Sequence, residues 1–306
     1  MPIKMQNKKS QIFTIIAIVL ILLLFASYEV YSYFKEREAI KTRISTMNSF
    51  LFSLEENLGR DMYIVGFRTL FLAQTEITKT GKYIPNINLF FNESFLKGSV
   101  NGQPSEILVG ATFNDIQRST NEKARKVNVN VTLSNPVISV SQEDPWNVLV
   151  TLEADFVMID TSGLARWDKR TVIKTKIPIE NFEDPLFILN TQAKVARKIN
   201  RTIYEGIYNQ PINNLNEHVS RGYYTYNPSA PSFLNRLEGN FGADENGIES
   251  LVYIPALSAQ GIPTYEKSVV DYIYFSPLNP SSHQIEGMPS WFRLDTEHLE
   301  KYNCAA

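Results

Sequence analysis

One apolar stretch decides the architecture of this chain: residues 12–26 read IFTIIAIVLILLLFA and hold one polar side chain, Thr14, and no charge. A helix needs about 20 such residues to cross the roughly 30 Å apolar core of a bilayer. The stretch reaches this length only with its Tyr-rich continuation to Phe34, whose rings suit the headgroup level. We therefore predict a membrane anchor over residues 11–34. The positions expected to contact lipid are Ile12, Ile16, Leu20, Leu23, Tyr28 and Tyr31.

The flanking charges leave the orientation of this anchor nearly balanced. Residues 1–10 carry three lysines and no acid, which favours a cytoplasmic N-terminus. Residues 35–43 carry four Lys and Arg on the other flank. Three interpretations remain open: a cleaved secretory signal, an uncleaved signal anchor, or a segment that is processed on its cytoplasmic side.

Lys8-Lys9-Ser10 before Gln11 resembles the class III signal peptides of archaeal type IV pilins and related surface proteins. In that family the cut precedes a Gln, and the mature chain begins with its membrane helix. The resemblance implies processing between Ser10 and Gln11, a cytoplasmic N-terminus and an extracytoplasmic main domain. The chain departs from the pattern at Ile15, where those peptides carry Glu, and this argues against filament assembly.

The composition is typical of a folded domain, and its positive and negative charges are nearly balanced. The chain has 306 residues, with 30 Lys and Arg against 32 Asp and Glu, which argues against nucleic acid as a partner. About 270 residues follow the anchor, enough for one large or two small cores. The single cysteine, Cys304, excludes an intramolecular disulfide and a Cys-based zinc cage.

Residues 35–80 continue the anchor with a helical apolar period and no proline. We expect an amphipathic stalk with a kink near Gly59 or Gly66, and its length favours a break into two helices. Its stripe pairs with another helix or, as the favoured alternative, packs on the protein's own sheet. The stripe comprises Ile40, Ile44, Met47, Leu51, Leu54, Leu58, Met62, Val65 and Leu72.

Residues 81–210 predict an antiparallel sheet domain with flanking helices. Thr112 caps a helix that ends near Arg125. Two-residue alternation then predicts a meander of at least four strands between Lys126 and Ile179, because short connections join only antiparallel neighbours. A helix is expected over residues 192–208. The strand segments are 127–133, 136–140, 146–158 and 173–179.

Residues 211–306 predict a smaller C-terminal α+β module. Ser232 caps a short helix that Gly239 ends, and residues 251–254 and 269–275 are expected to be strands. The predicted fold is therefore α+β: an N-terminal transmembrane helix continues into an amphipathic helix packed on an antiparallel β-sheet, followed by this module. The predicted boundaries are 1–10, 11–34, 35–80, 81–210 and 211–306.

Several local motifs resemble a family of uncharacterised archaeal membrane-anchored proteins with pilin-like N-termini. They are Gly66-Phe67-Arg68, Asp144-Pro145-Trp146, the hairpin from Asp160 to Trp167, Phe182-Glu183-Asp184-Pro185-Leu186 with Asn190-Thr191, and the segment from Ser232 to Gly239. The resemblance covers most of the chain. It implies a surface-anchored archaeal protein with no established biochemical activity.

No motif in the chain predicts catalysis, a cofactor or a metal. Asp295 and His298 would share one helix face, but a single Asp–His pair lacks a third ligand. Asp184-Pro185 is typical of a turn, and Asp160 to Gly163 lacks the ligand spacing of a calcium loop. No nucleophile elbow and no phosphate-binding glycine loop is present. We predict that the protein is not an enzyme and has no cofactor.

The aromatic cluster after Arg221 is the best candidate for a partner-binding surface. Tyr223, Tyr224 and Tyr226, with Trp291, have side chains that stack on sugars or anchor a protein partner. The alternative is that these rings form core between the modules or belong to a linker packed on the sheet. Glycosylation sequons at Asn92, Asn130 and Asn200 decide nothing alone.

Three functions follow in order of preference. The first is a single-pass, non-enzymatic surface protein with structural or adhesive use, whose partners are the lipid bilayer, copies of itself or carbohydrate. The second is a ligand-binding ectodomain or accessory subunit of a pilus or secretion system. The third, a membrane-tethered hydrolase, requires acidic residues that converge on a histidine.

Overall fold

The first element of the fold is one uninterrupted helix. The computed structural model describes residues 6–304, with side chains from residue 11, and α1 occupies Gln6–Thr80. Its 75 residues correspond to a rod of about 110 Å. The expected break into two helices is wrong, because α1 continues without interruption through Gly59 and Gly66.

A short helical layer follows α1. Asn86 caps α2 (Ile87–Lys97) by accepting a hydrogen bond from Leu89, and Gly98 ends it in the left-handed conformation. A small hairpin of β1 (Ser99–Val100) and β2 (Gln103–Pro104) leads to a 3₁₀ turn at Glu106–Leu108. The helix predicted after Thr112 is confirmed as α3 (Phe113–Arg125), with Thr112 and Asp115 forming a reciprocal capping box.

The main sheet is a three-stranded antiparallel meander. It contains β3 (Val129–Asp144), β4 (Asn147–Asp160) and β5 (Arg166–Pro178) in that order. The two segments expected as separate strands at 127–133 and 136–140 form one strand, because a register shift between Ser134 and Val137 keeps the chain in the sheet. The prediction of at least four strands is therefore wrong.

Side-chain amides close the free edge of β3. Gln117 of α3 donates to the carbonyl of Val131 (3.0 Å) and accepts from the N–H of Leu133 (2.7 Å). Asn88 accepts from the N–H of Val140, and Asn92 donates to the carbonyl of Ile138. These bonds satisfy backbone groups that would otherwise be available to pair with another strand.

The second half of α1 lies against the apolar face of this sheet. Met47, Leu54, Leu58, Met62 and Val65 are buried there, whereas side chains from residue 11 to 46 are exposed with few exceptions. Gly66 lies so close to Ile177 of β5 that an added Cβ would overlap its side chain. The coarse α+β class with a long N-terminal helix and antiparallel sheets is confirmed.

The segment after β5 differs most from its sequence pattern. Asp184 caps α4 (Pro185–Asn190), and no helix covers residues 192–208. That stretch instead runs beside residues 181–184: the N–H of Ile199 donates to the carbonyl of Phe182, and the carbonyl of Ile199 accepts from the N–H of Asn181. The apparent helical stripe is not a buried face, because Ile203 is 70% exposed.

The C-terminal part consists of short elements. Ser232 and Gly239 bound α6 as predicted, but the strands expected at 251–254 and 269–275 are wrong. A helix with Pro255 in its first turn begins at Ile254, and the second segment becomes a helical turn over Asp271–Tyr274. Leu251 and Val270 keep a single isolated bridge between the two segments. The elements are α5 (Ile212–Arg221), β6 (Tyr224–Tyr226), α6 (Phe233–Glu238), β7 (Ile248–Ser250), α7 (Ile254–Ala259), α8 (Asp271–Tyr274), β8 (Ser282–Gln284), β9 (Arg293–Asp295) and α9 (Thr296–Lys301).

Two large apolar cores and one small cluster of Leu72, Val100 and Leu108 form among the described residues. The first fills the space between the helices α1, α2 and α3 and the main sheet, and the second is built from residues after Pro185. The cores interlock in sequence, because Phe233, Leu237 and Ile248 of the C-terminal part belong to the first. This arrangement fixes the C-terminal elements to the sheet domain.

Candidate functional site

The N-terminal half of α1 is a candidate membrane span. Among the described residues, α1 is the one helix whose length and composition suit a bilayer crossing. All six positions predicted to contact lipid are exposed, from Ile12 to Tyr31. The Ser27 hydroxyl donates to the carbonyl of Leu23 at 2.7 Å, so this polar group is satisfied inside the helix. At the predicted processing site Gln11 is exposed, and the side chain of Ser10 lies outside the described residues.

Arg43 attaches the body to this rod. Its guanidinium donates to Asp160 Oδ1 (2.5 Å) and to the carbonyls of Val127 (2.7 Å) and Asn128 (2.6 Å). A hydrogen bond from Ser162 lowers the pKa of Asp160 to about 2, with help from Arg43 and against the opposing effect of burial. Asp160 is therefore ionised at neutral pH. Its ion pair with Arg43 fixes the position of the hairpin after β4 along α1.

The four predicted partner-binding aromatics do not form one surface. Tyr224 is fully buried, and its hydroxyl donates to Asp184 at 2.8 Å, so it is inaccessible to a partner. Tyr223 is half-buried beside Tyr204, whereas Tyr226 is 41% exposed. Trp291 meets Tyr253 edge-to-face at 5.5 Å. These two rings line an open groove of about 560 Å³ with Arg221, and none of the three tyrosines belongs to it.

The sequon asparagines have different environments. Asn130 is exposed on the solvent side of β3, as the alternation predicts. Asn200 is half-buried, and the Asn92 amide is engaged with the β3 edge. Of the three, Asn130 is the best placed to carry a glycan.

A fully buried arginine joins the two cores. Arg236 of α6 donates to Asp184 (2.5 Å), to Asp271 of α8 (2.9 Å) and to the carbonyl of Ile248. Burial alone would lower the pKa of Arg236, but the two carboxylates outweigh it and raise the pKa. Asp184 thus serves as both helix cap and ion-pair partner, a role that its predicted place in a turn did not reveal.

A second buried network surrounds His298 of α9. Its Nδ1 is 2.7 Å from Asp295 Oδ1, and its Nε2 is 3.1 Å from Glu249 Oε2. Burial opposes the charge, yet the hydrogen bonds to Asp295 and Glu249 raise the pKa of His298 to about 10. Burial likewise opposes ionisation of Glu249, but His298 and Lys301 lower its pKa to about 2. The group is therefore a charged cation between two carboxylates.

This geometry bears on the hydrolase hypothesis, which requires acidic residues that converge on a histidine. The convergence is present, but His298 is only 1% exposed and both ring nitrogens are bonded to carboxylates. An imidazolium in this position has no free lone pair to accept a proton. Within residues 6–304, no group of three His, Cys, Asp or Glu side chains is arranged to hold a metal ion.

Sequence reasoning found the Asp295–His298 spacing but missed Glu249 and Arg236. One signal was available for the glutamate, since Glu249 interrupts a largely apolar segment from Ile248 to Ile254. A charge inside an apolar run is buried only with a partner. The identity of that partner depends on tertiary structure, because His298 lies 49 residues away.

Comparisons with known proteins found no match to this chain among protein-family models, curated proteins or solved structures.

Proposed function

We propose that this chain is a single-pass membrane protein whose N-terminal helix anchors a non-catalytic, extracytoplasmic body with structural or adhesive use. One observation supports the proposal most: apolar residues 12–34 are exposed along a helix whose other half forms part of the body's core. Removing one large apolar side chain from water is worth about 1.5–3 kcal/mol. An exposed apolar run of this length therefore favours a lipid environment.

The amphipathic half of α1 supports the same proposal. Its buried stripe ties the body to the rod, so the protein holds a folded domain at a fixed distance from the bilayer. The resemblance of residues 8–11 to class III signal peptides favours a cytoplasmic N-terminus, because the Lys and Arg counts on the two flanks are nearly equal. Candidate partners of the body are other copies of the chain, components of a pilus or secretion system, and carbohydrate.

The resemblance to class III signal peptides supports processing between Ser10 and Gln11. Such processing leaves the membrane helix at the start of the mature chain and keeps the anchor intact. Removal of the whole segment would instead release the body. The archaeal origin and the pilin-like character are part of this proposal.

Alkaline extraction of membranes, followed by N-terminal sequencing of the protein that remains, tests the proposal. We expect the chain to stay with the lipid and to begin at Gln11, or at Met1 or Pro2 if the anchor is uncleaved. A soluble product that begins near Ser27 would overturn it, because the anchor would then be a removed signal.

The groove beside Trp291 supports a second candidate, a sugar-binding ectodomain. Trp291 and Tyr253 offer aromatic faces, and Asn216, Glu217 and Arg221 place polar groups at the same groove. On an oligosaccharide array we expect Trp291→Ala to lose binding that Tyr265→Ala, an exposed aromatic outside the groove, retains. Absence of binding by the unaltered chain would exclude this candidate.

A further inference from the structure

Three contacts along α1 show which end of the body faces the bilayer. Arg43 binds Asp160 at the end of β4, Glu55 forms an ion pair with Lys169 of β5, and Gly66 touches Ile177 near the end of β5. Later residues of α1 therefore meet later residues of β5, so the two elements run in the same direction. The turn between β4 and β5 lies at the end of the body nearest the apolar segment.

The distance from this end to the lipid is short. Arg43 follows Phe34 by nine residues, which is about 14 Å along a helix. The polar layer of a bilayer adds about 5–7 Å outside its apolar core. About 8 Å therefore remains along the helix between the outer edge of the polar layer and Arg43. This separation equals the Debye length at physiological ionic strength. The tilt of about 20° that is usual for membrane helices reduces the separation on one side.

Charge is distributed unequally between this end and the rest of the body. We define the membrane-proximal end as residues 35–43, 122–128 and 160–168, which carry eight Lys and Arg against five Asp and Glu. The remaining residues after 43 carry 19 Lys and Arg against 26 Asp and Glu. The part of the rod and body nearest the bilayer is thus net positive, and the rest of the chain after residue 43 is net negative.

Individual side chains at this end are available for contact. Arg125 and Lys126, at the C-terminus of α3, are exposed and form no ion pair with any residue from 11 to 304. Leu164, in the turn between β4 and β5, is 47% exposed. Two free cations and an exposed leucine at the same end of the body match a surface of anionic headgroups over an apolar interior.

We propose that the membrane-proximal end docks on anionic lipid headgroups, with Arg125 and Lys126 supplying the attraction and Leu164 the apolar contact. The inference rests on the proposed membrane anchor and adds a second lipid contact to it. Attraction to the bilayer would fix the tilt of the rod and hold the acidic remainder of the body away from the membrane.

The test uses the full chain with Cys304→Ser, and Leu164→Cys labelled with an environment-sensitive fluorophore. The protein is reconstituted into vesicles of phosphatidylcholine alone or with one third phosphatidylglycerol. We expect a blue-shifted emission only with phosphatidylglycerol, reversed in about 1 M salt, where the Debye length is about 3 Å. Adding Arg125→Glu and Lys126→Glu should abolish the shift.

Lys79→Glu with Lys82→Glu is the matched control. It makes the same charge change at the C-terminal end of α1, away from the proposed contact, and should leave the shift intact. Equal emission in both vesicle types, from protein that resists alkaline extraction, would overturn the docking and leave the anchor standing. A shift that survives the Arg125 and Lys126 changes would also overturn it. Loss of the unaltered protein from the vesicles would instead refute the anchor.

Discussion

His298 illustrates how the C-terminal core accommodates charge. The imidazolium lies between Asp295 and Glu249, while Tyr302 donates to the second Glu249 oxygen at 2.9 Å. Such a group stabilises a fold only while every charge keeps its partner. Removal of the cation leaves two carboxylates buried near one another, which is the costly state.

We predict that His298→Gln lowers the free energy of unfolding by about 3 kcal/mol near pH 6. The pKa of His298 is raised to about 10, so its contribution is complete below the unfolded value of about 6.5 and is lost as pH rises through 10. Denaturant unfolding in detergent from pH 6 to 10 should therefore show the difference between the two proteins shrinking.

His283→Gln is the matched control, because His283 is half-buried and, within the part of the chain that the structure describes, its side chain hydrogen-bonds to Thr296 alone, at 3.3 Å. It should change stability little at any pH. A difference between wild type and His298→Gln that stays constant from pH 6 to 10 would contradict the charged assignment. The pKa of Glu249, lowered to about 2, predicts a further loss of stability only as pH falls from about 4.5 toward 2.

At the level of elements, α1 contains two glycines, Gly59 and Gly66, whose surroundings differ. Gly59 has open space where a Cβ would be, whereas a Cβ on Gly66 would overlap Ile177 and touch Val150. Alanine favours a helix over glycine by about 1 kcal/mol. Overpacking a filled core costs about 1–3 kcal/mol.

We predict opposite effects of the same substitution at these positions. Gly59→Ala should raise the free energy of unfolding by about 0.5–1 kcal/mol, because it gains helix propensity without steric cost. Gly66→Ala should lower it by about 1 kcal/mol or more, because Ile177 must move within the core. Parallel denaturant titrations measure both, and equal stabilisation by both would show that α1 does not press on β5 at this point.

Local sequence signals predicted several elements correctly. They failed where contacts between distant residues determine the secondary structure. The cap at Thr112 and the bounds Ser232 and Gly239 depend on neighbouring residues, so they were visible in the sequence. Residues 192–208 have a helical period, but pairing with residues 181–184 overrides it. Periodicity alone does not distinguish a register shift within a strand from a break between two strands. It therefore predicts two strands where the shift after Ser134 lies within one.

For the whole molecule, the sequence predicted the long apolar N-terminal helix better than the interior. A run of apolar residues without charge is legible from composition, whereas the buried network of Arg236, Asp184 and Asp271 joins segments up to 87 residues apart. Tyr224 was expected among surface aromatics because nothing in its neighbours reveals that its hydroxyl faces Asp184.

The two halves of α1 differ in what surrounds their apolar side chains. The first half presents them outward, and the second half buries them in the core of the body. The account depends on the first half being in lipid. The most direct measurement is membrane partition of Leu20→Lys with Leu22→Lys after alkaline extraction, since each central lysine costs about 2.5–3.5 kcal/mol in a membrane helix.

The matched control is Phe52→Lys with Phe71→Lys, which makes the same charge change at exposed positions of α1 outside the anchor. We predict that the Leu20 and Leu22 variant leaves the membrane fraction while the control remains with it. Retention of both variants in the membrane fraction, at the level of the unaltered chain, would contradict the account.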